Sequence, residues 1–349
     1  MKNAANVTLQ PSPPNTGRRA TIRIWGIKNL SLTLNRRQFF AALAVVVFSV
    51  AIQIPDWPAI FEAAHGHPMT DREVYKTSIV NLDLRIDYFD YITWTDLAIN
   101  EWTWGYLLRY MEDTLGLEPE RIFTLLTTFV IWQFASYVVR NAGAIYLIFL
   151  LNPLVIDLAF SQFRVALAAS VVMFVLSEPR GKLVTALTYL FCTTIHTATV
   201  LFAVMQIGAR LLQGRQKFSV AVLCGLGVLI SFAIGPLRQE LLGAVGDRRA
   251  EYEDMGSSFA YLSFWVLLWF MFLVKWRDVV RHYDGRYAII VLSLVAANLF
   301  TGGYSTRFLA ASLPSLIVAM SRWPSNPISV ALLFFVPYSL VQWYYWFQI

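Results

Sequence analysis

The chain has 349 residues, of which 57% are hydrophobic and only 14% are charged, and its mean hydropathy is +0.53. Soluble domains carry about 25% charged residues, so this composition excludes an ordinary soluble protein and indicates a polytopic membrane protein. Both cysteines, Cys192 and Cys224, lie in apolar runs, which excludes a disulfide framework and a cysteine metal site. The net charge is +6, but most of the basic residues lie in the segments that are predicted below to face the cytoplasm. This distribution explains the charge, so no nucleic-acid partner is expected.

Apolar runs dominate the chain after a basic N-terminal segment. Residues 1–37 are polar and basic, and we expect a cytoplasmic tail followed by a single transmembrane domain over 38–349. A helix needs about 20 apolar residues to cross a bilayer. The runs predict an all-α, polytopic helical bundle of about 11 crossings, for which a GT-C-like arrangement is an open alternative. The predicted spans are 38–54, 121–139, 142–158, 160–177, 183–195, 196–212, 217–235, 258–275, 286–302, 306–320 and 327–346.

The distribution of charge sets the predicted orientation. A single helix over 183–212 would be about 45 Å long, too long for the hydrocarbon core, so this segment is predicted to be a hairpin. With the N-terminus inside, the cytoplasmic segments then hold 18 of the 28 basic residues but only three of the 22 acidic ones. The positive-inside rule therefore predicts a cytoplasmic N-terminus and a C-terminus on the opposite, outer side of the membrane.

Two long loops fall on the predicted outer side, at 55–120 and 236–257. The first is rich in acids and aromatic rings, which form an interfacial belt in many membrane proteins but also suit sugars. It is predicted to be helical, with an amphipathic surface helix over 97–115 that buries Trp, Leu and Met and exposes its acids. The second loop mixes arginines with acids, and we expect a solvated lid without assignable individual roles.

Arg164 lies in an apolar run, where an ionisable side chain is costly and therefore marks a candidate functional position. Helical spacing places Asp157, Ser161 and Arg164 on one face, which predicts an ion pair between Asp157 and Arg164. Two interpretations are open. The pair fixes a helix end, or the guanidinium binds a lipid-linked diphosphate through two parallel hydrogen bonds.

His196 and Arg307 are two further ionisable residues at predicted span ends. His196 lies near the turn of the predicted hairpin, either as a packing histidine or as a proton donor or acceptor, or phosphate contact, in an outward cavity. Arg307 follows Gly302 and Gly303, which allow a tight turn. It either snorkels to the surface or binds a second diphosphate or pyrophosphate leaving group. No residue here has metal-ligand spacing, so no metal or cofactor site is assigned.

Five short segments, in a fixed order between residues 85 and 310, form a further pattern. They are Arg85-Ile-Asp87-Tyr-Phe-Asp-Tyr91, Glu101-Trp-Thr-Trp-Gly105-Tyr106-Leu-Leu, Phe-Arg164-Val-Ala-Leu-Ala, Ile195-His196-Thr-Ala and Tyr304-Ser-Thr-Arg307-Phe. Together they resemble the EpsG family of polysaccharide polymerases, relatives of the Wzy-type O-antigen and exopolysaccharide polymerases. Three positions depart from the family's pattern: Arg85 replaces a small residue, Trp102 replaces a proline that is common there, and Val165 replaces a glutamine.

The resemblance implies a multi-pass glycosyltransferase of the bacterial inner membrane that joins oligosaccharide repeat units carried on undecaprenyl diphosphate. The outer side, and with it the predicted C-terminus, is then periplasmic. It implies lipid-linked oligosaccharide and membrane lipid as partners, a lateral cleft through which the lipid enters, and no nucleotide cofactor; a chain-length regulator is an open further partner. The candidate roles that follow are catalytic for Asp87, Glu101 and His196, diphosphate-binding for Arg164, Arg307 and Arg85, and sugar-binding for Tyr91, Trp102, Tyr106 and Tyr304.

Other functions are left open by the sequence. A glycosyltransferase that uses a polyprenyl-phosphate sugar, with a loop acid as base, fits similar residues, and so does an O-antigen ligase. A transporter or flippase of lipid-linked sugars would also carry intramembrane Arg and His, but would more often show pseudo-symmetric halves with broken helices. A non-catalytic scaffold would not need charges at membrane depth.

Overall fold

The structure, a computed structural model, describes residues 19–23, 31–80, 93–176, 181–212, 216–244 and 259–348. These residues are mainly helical, which confirms the predicted helical class. The exception is an antiparallel two-stranded hairpin within the predicted tail, formed by β1 (Arg19–Arg23) and β2 (Ser31–Asn35).

The described helices are numbered here in chain order. They are α1 (Arg36–Ala51), α2 (Trp57–His65), α3 (Thr70–Val80), α4 (Trp94–Ile99), α5 (Trp102–Arg109), α6 (Pro119–Asn141), α7 (Pro153–Phe160), α8 (Phe163–Leu176), α9 (Lys182–Ile195), α10 (Thr199–Leu211), α11 (Gln216–Ile234), α12 (Arg238–Ala244), α13 (Phe259–Val274), α14 (Trp276–Val279), α15 (Tyr283–Thr301), α16 (Ser305–Ser321) and α17 (Pro327–Gln348). A π-helical turn (Tyr110–Thr114) follows α5, and a 3-10 helix (Ala144–Leu150) precedes α7.

Helices α15 and α16 form the centre of the bundle. Every residue of α15 from Asp284 to Val295 is buried, as is every residue of α16 from Phe308 to Met320. A helix that is apolar on all sides needs neighbours on all sides. Gly227 of α11 allows one of these close approaches, because a Cβ there would lie 2.4 Å from the Ile290 carbonyl oxygen.

Among the described residues, three helices, α6, α15 and α17, are long and apolar enough to cross a membrane, and there are five if two bent pairs each count as one span. The bent pairs are α7 with α8, at 104°, and α11 with α12, at 68°. Apolar helices α9, α10 and α13 are shorter than a usual span. The structure therefore supports a membrane-embedded helical protein, and the count of 11 crossings stays a prediction.

The predicted span 142–158 is wrong as a single α-helix. It consists of the 3-10 helix and α7, which are separated at Leu151 and Asn152. The Asn152 side chain accepts a hydrogen bond from the Leu154 amide, and Pro153 occupies the first turn of α7. An asparagine cap followed by proline starts a new helix, because proline cannot donate to a preceding turn.

The predicted hairpin over 183–212 is present as the two helices α9 and α10. Residue His196, between them, has an extended backbone with φ −155° and ψ 119°. The Tyr189 hydroxyl donates to the Gln206 side chain, so the two helices lie side by side.

The described parts of the loop over 55–120, residues 55–80 and 93–120, fold onto one end of the bundle, which we call the loop end. Arg72 of α3 is its anchor: it donates to the Phe160 carbonyl at 3.1 Å, forms an ion pair with Glu120, and lies 4.7 Å from the Phe123 ring centroid. The single amphipathic helix predicted over 97–115 is wrong, because the chain breaks between α4 and α5 at Glu101.

The opposite end of α15 carries a different set of charges, and we call it the basic end. Asp284 accepts a hydrogen bond from the Tyr137 hydroxyl at 2.5 Å and pairs with Arg322 at 3.0 Å. Arg286 is buried and donates to the Ala209 and Val280 carbonyls. The 19 residues of α15 separate the two ends by about 28 Å.

Candidate functional site

The central residue of the candidate site is Glu101, which lies between α4 and α5. A capping box formed by Thr93 and Asp96 starts α4, and the chain turns at Asn100. Glu101 then takes a left-handed conformation with φ 53° and ψ 48°. A non-glycine residue in this region costs about 1–2 kcal/mol, and such strain concentrates at functional sites.

Glu101 joins two helix ends through its carboxylate. Its Oε2 accepts from Arg164 Nη1, and its Oε1 lies 2.6 Å from His196 Nδ1. Arg164 is in the first turn of α8, and His196 lies between α9 and α10. The structure thus brings together three residues that are widely separated in the sequence.

Contacts on either side fix Glu101 in place. The Thr103 hydroxyl lies 2.5 Å from that of Thr194, which ties α5 to α9 next to His196. Trp104 is buried and packs edge-on against the Tyr75 ring, with centroids 5.4 Å apart. The carboxylate is therefore held by the packing of α5 as well as by its own ion pairs.

Tyr75 of α3 supports Arg164 from the side. Arg164 Nε donates to the Tyr75 hydroxyl at 3.0 Å, and the guanidinium carbon lies 5.1 Å from the Tyr75 ring centroid. Burial raises the pKa of the Tyr75 phenol, so this side chain stays neutral and accepts the hydrogen bond. Arg164 is therefore fixed by a carboxylate and a phenol together.

The three side chains of this cluster differ in their exposed fraction, which shows which of them lie nearer the surface. The side chain of Arg164 is 21% exposed and that of His196 is 12% exposed, whereas that of Glu101 is only 3% exposed. A ligand that approaches from outside meets the guanidinium and the imidazole first. Glu101 lies beneath them and orients both.

Arg307 lies in a second cluster next to the first. It pairs with Asp71 at 3.0 Å, and its guanidinium carbon is 5.5 Å from the Tyr304 ring centroid. Asp71 and Tyr75 are one turn apart on α3, so this helix contacts both Arg307 and Arg164. Their side chains are neighbours at roughly 6 Å on one helix face.

The predicted ion pair between Asp157 and Arg164 is wrong. The bend of 104° between α7 and α8 interrupts the helical spacing on which it depended. Asp157 accepts from the Gln162 side chain at 2.6 Å and interacts at longer range with Asp71 and Arg307, while Arg164 binds Glu101.

Two of the predicted sugar-binding residues lie together on α5. The rings of Trp102 and Tyr106 are 4.8 Å apart, and Tyr106 is 40% exposed. Trp102 directly follows Glu101 in the chain. Asp87, Arg85 and Tyr91 lie outside the residues that the structure describes.

Several contributors to the site were not predicted from the sequence: Asp71, Arg72, Tyr75 and Arg238. Asp71 and Arg72 follow a proline-containing turn as ordinary helix-start charges, and nothing local marks them. Arg238 was expected in a solvated lid, but its side chain is buried. Over the rest of α12, residues 239–244, every residue except Leu242 is exposed, so only the start of this helix departs from the expected solvated loop.

Within the described residues, no three His, Cys, Asp or Glu side chains form a group that could hold a metal ion. No family model, curated protein or solved structure matches this chain. What the site can do must therefore follow from its own chemistry.

Proposed function

We propose that this protein is a membrane glycosyltransferase that polymerises oligosaccharide units carried on undecaprenyl diphosphate. The observation that carries the proposal is the buried Glu101 carboxylate bound by Arg164 and His196 at the loop end of the bundle. Such a site combines a cation for a phosphate with a base for a hydroxyl. The resemblance to the EpsG family drawn from the sequence supports the same reaction.

Arg164 supplies the cation for the leaving group. A guanidinium stays charged and binds phosphate oxygens in a planar fork. It stabilises a phosphate most strongly where water is scarce. Tyr75 and Glu101 fix this fork in advance, so little reorganisation is needed as charge develops on the departing diphosphate.

His196 is the base in this proposal, and Glu101 is a positioning residue. With the proton on Nδ1 donated to Glu101, the other ring nitrogen, Nε2, is the basic one. The acceptor hydroxyl oxygen attacks the anomeric carbon, its proton passes to Nε2, and the sugar–diphosphate bond breaks with both electrons on the diphosphate. Glu101 itself is a poor base here, because both of its oxygens already accept.

The aromatic pair on α5 suits the sugar part of the substrate. Sugar C–H faces stack on rings, and the Trp102 and Tyr106 rings adjoin the proposed catalytic residues. In the proposed orientation the loop end faces the periplasm and the basic end faces the cytoplasm of a bacterial inner membrane, with the N-terminus inside.

A transporter of lipid-linked sugars is the second candidate, because a specific observation favours it. Two apolar helix pairs are broken, and Arg164 lies next to one of the breaks. Discontinuous helices of this kind bind anionic substrates in many transporters. The carboxylate–imidazole pair favours the enzyme, since a histidine oriented by a carboxylate suits the general base that the acceptor hydroxyl requires.

Lipid-linked glycan profiling in cells that lack this protein tests the proposal. We expect single repeat units to accumulate outside the inner membrane, because flipping continues while joining stops. Units trapped inside would establish the transporter instead. Units short of one sugar would establish a monomer-adding transferase, and intact polymer that stays on its lipid would establish a ligase.

Complementation with variants then tests the site. Arg164→Ala should restore no polymer while the protein is present in the membrane at normal level. Arg281→Ala is the matched control, because Arg281 is 61% exposed at the basic end and pairs weakly with Asp278. Normal polymer from the Arg164 variant would refute a catalytic role for this cluster.

A further inference from the structure

The C-terminal ends of two helices, α11 and α15, meet at the loop end. Helix α11 ends at Ile234, where the chain bends by 68° into α12, and α15 ends at Thr301. A Cβ on Gly235 would lie 2.5 Å from the Thr301 carbonyl oxygen, and one on Gly303 would lie 2.6 Å from the Ile234 carbonyl oxygen. Only glycine allows so close an approach of backbone to backbone. We define the helix-end junction as Ser231, Ile234, Asn298, Thr301 and Gly302.

The helix-end junction concentrates oxygen atoms of negative partial charge. The last four carbonyl groups of a helix have no partner within it, and each such end carries about half a negative charge. Two of these ends repel each other, and a positive group between them removes the repulsion. The hydroxyls of Ser231 and Thr301 add further oxygens, which are hydrogen-bonded to each other at 2.6 Å and tie α11 to α15.

The side chain of Asn298 points to a ligand at this junction. The residue is only 3% exposed, and its Nδ2 donates to the Gly302 carbonyl, which fixes the orientation of the amide. Its oxygen, Oδ1, is buried and has no hydrogen-bond partner among the described residues. Buried polar atoms are normally satisfied, and an amide oxygen can only accept. The partner that Oδ1 requires is therefore a donor or a cation.

The kinds of oxygen at the junction indicate a monovalent cation. Sites for divalent cations generally include carboxylates. Within the described part of the chain, the side-chain hydrogen bonds of Ser231, Asn298 and Thr301 involve hydroxyl and carbonyl oxygens and no carboxylate. Carbonyl groups at the C-terminal ends of broken helices bind Na⁺ in membrane proteins. The close approach of the two chain ends favours this ion over the larger K⁺.

We propose that the helix-end junction binds a Na⁺ ion through the Asn298 side-chain oxygen and the terminal carbonyl oxygens of α11 and α15. The ion neutralises the two helix ends and holds the break in α11 against α15. Helix α16, which carries Arg307, begins directly after this turn, so the ion also fixes the start of that helix. The inference does not rest on the proposed function, because neither lipid nor sugar takes part.

Binding of radioactive sodium to the full-length protein, purified in detergent, tests the inference directly. We expect saturable binding that unlabelled Na⁺ displaces, that K⁺ displaces less well and that choline does not displace. Asn298→Ala should lower the affinity by about tenfold or more, because the ion loses its side-chain ligand. Asn152→Ala is the matched control, since Asn152 is also buried but bonds Ser339 and the Leu154 amide.

The same measurement can overturn the inference in three ways. Wild-type protein without saturable binding would leave the positive charge of Arg238, three residues after Gly235, as the one that the two helix ends face. Displacement by choline as strong as that by Na⁺ would show an effect of ionic strength and not a site. Displacement by K⁺ as strong as that by Na⁺ would overturn the assignment to sodium.

Thermal unfolding separates an ion site from a structural contact. An ion that binds only the folded protein raises the thermal midpoint as its concentration rises. With total salt held constant by choline chloride, NaCl should raise the midpoint of wild type and of Asn152→Ala but not that of Asn298→Ala. A response of Asn298→Ala equal to that of wild type would contradict the site.

Asn298→Asp keeps the test decisive if the alanine variant does not fold. The side chain keeps its shape and gains a charged oxygen, so the affinity for Na⁺ should rise and Ca²⁺ should begin to stabilise the protein. The loss of Nδ2 makes the folded state more dependent on the ion, because the new carboxylate faces the Gly302 carbonyl. A midpoint that responds to neither cation more strongly than that of wild type would refute the site.

Discussion

A buried carboxylate that binds both a guanidinium and an imidazole is a demanding arrangement for a single residue. Glu101 carries a left-handed backbone and an ionised side chain away from water, and each of these alone destabilises the folded state. Their combination is sustained because Arg164, His196 and the packing of Trp104 all act on the same residue.

Replacement of Glu101 by glutamine should abolish polymer formation. The amide keeps the shape but removes the charge, so the part-buried Arg164 loses its anionic partner and His196 loses its orienting carboxylate. Breaking a buried pair costs about 3–5 kcal/mol, so the thermal midpoint of the purified protein should also fall. Glu118→Gln, at an exposed position without a side-chain cap, is the control. Full activity in the Glu101 variant would remove it from the mechanism.

Replacement of Tyr75 by phenylalanine should slow polymer formation by about tenfold and leave folding intact. The ring stays packed on Trp104, but Arg164 loses a hydrogen bond from its Nε. The rate with purified lipid-linked substrate measures the effect, with the exposed Tyr110→Phe as the matched change. A role limited to packing would leave the rate unchanged.

Ionisable residues that are unfavourable in an apolar run are easier to find from the sequence than the residues that they contact. Arg164 and His196 are conspicuous because they interrupt apolar runs, and Glu101 was found through its motif. The partners of Arg164 were not predictable, because Tyr75 is 89 residues away and looks like any loop tyrosine. For Asp157 a partner was predicted, but it was the wrong one. The spacing to Arg164 fits one straight helix, whereas the chain bends by 104° between the two residues.

Helix breaks are the element-scale feature that positions this site. Arg164 and His196 both lie where an apolar helix begins or ends inside the bundle, which places polar backbone and side chains at one depth. The sequence did contain the signal for one break, since Asn152 before Pro153 is a typical helix start. The break at Glu101 lacked any such signal, because glutamate seldom adopts a left-handed conformation.

Close packing of α11 on α15 gives a test with its own internal control. Gly227→Ala should destabilise the protein by about 1–3 kcal/mol, because the new methyl would overlap the Ile290 carbonyl. Gly225→Ala, two residues earlier, meets nothing within 4 Å and should be neutral or slightly stabilising. Thermal unfolding in one detergent measures both, and equal midpoints would contradict this packing.

At the scale of the whole molecule, the two ends of the bundle have different chemistry. The loop end gathers arginines around a carboxylate, a histidine and aromatic rings, whereas the basic end is closed by Asp284, Tyr137 and Arg322. The general helical class was predictable from composition, but the arrangement of the ends depends on contacts between distant segments.

Single-cysteine labelling tests the orientation of the whole chain. With Cys192 and Cys224 replaced, a cysteine at Lys76 should react with an impermeant reagent outside the cell, and one at Arg281 should react only after the membrane is opened. Both positions are exposed, so reactivity reports sidedness and not burial. Labelling of Arg281 from outside would invert the predicted topology.

The hairpin that carries His196 has a consequence for the surrounding bilayer. Helix α9 has 14 residues and α10 has 13, so each is about 20 Å long, against a hydrocarbon thickness of about 30 Å. If both helices span the membrane as proposed, we expect a mismatch of this size to thin the lipid beside the hairpin. The headgroups there would then lie closer to His196, and the phosphates of the proposed polyprenyl substrate would reach the imidazole while its tail stays among the acyl chains.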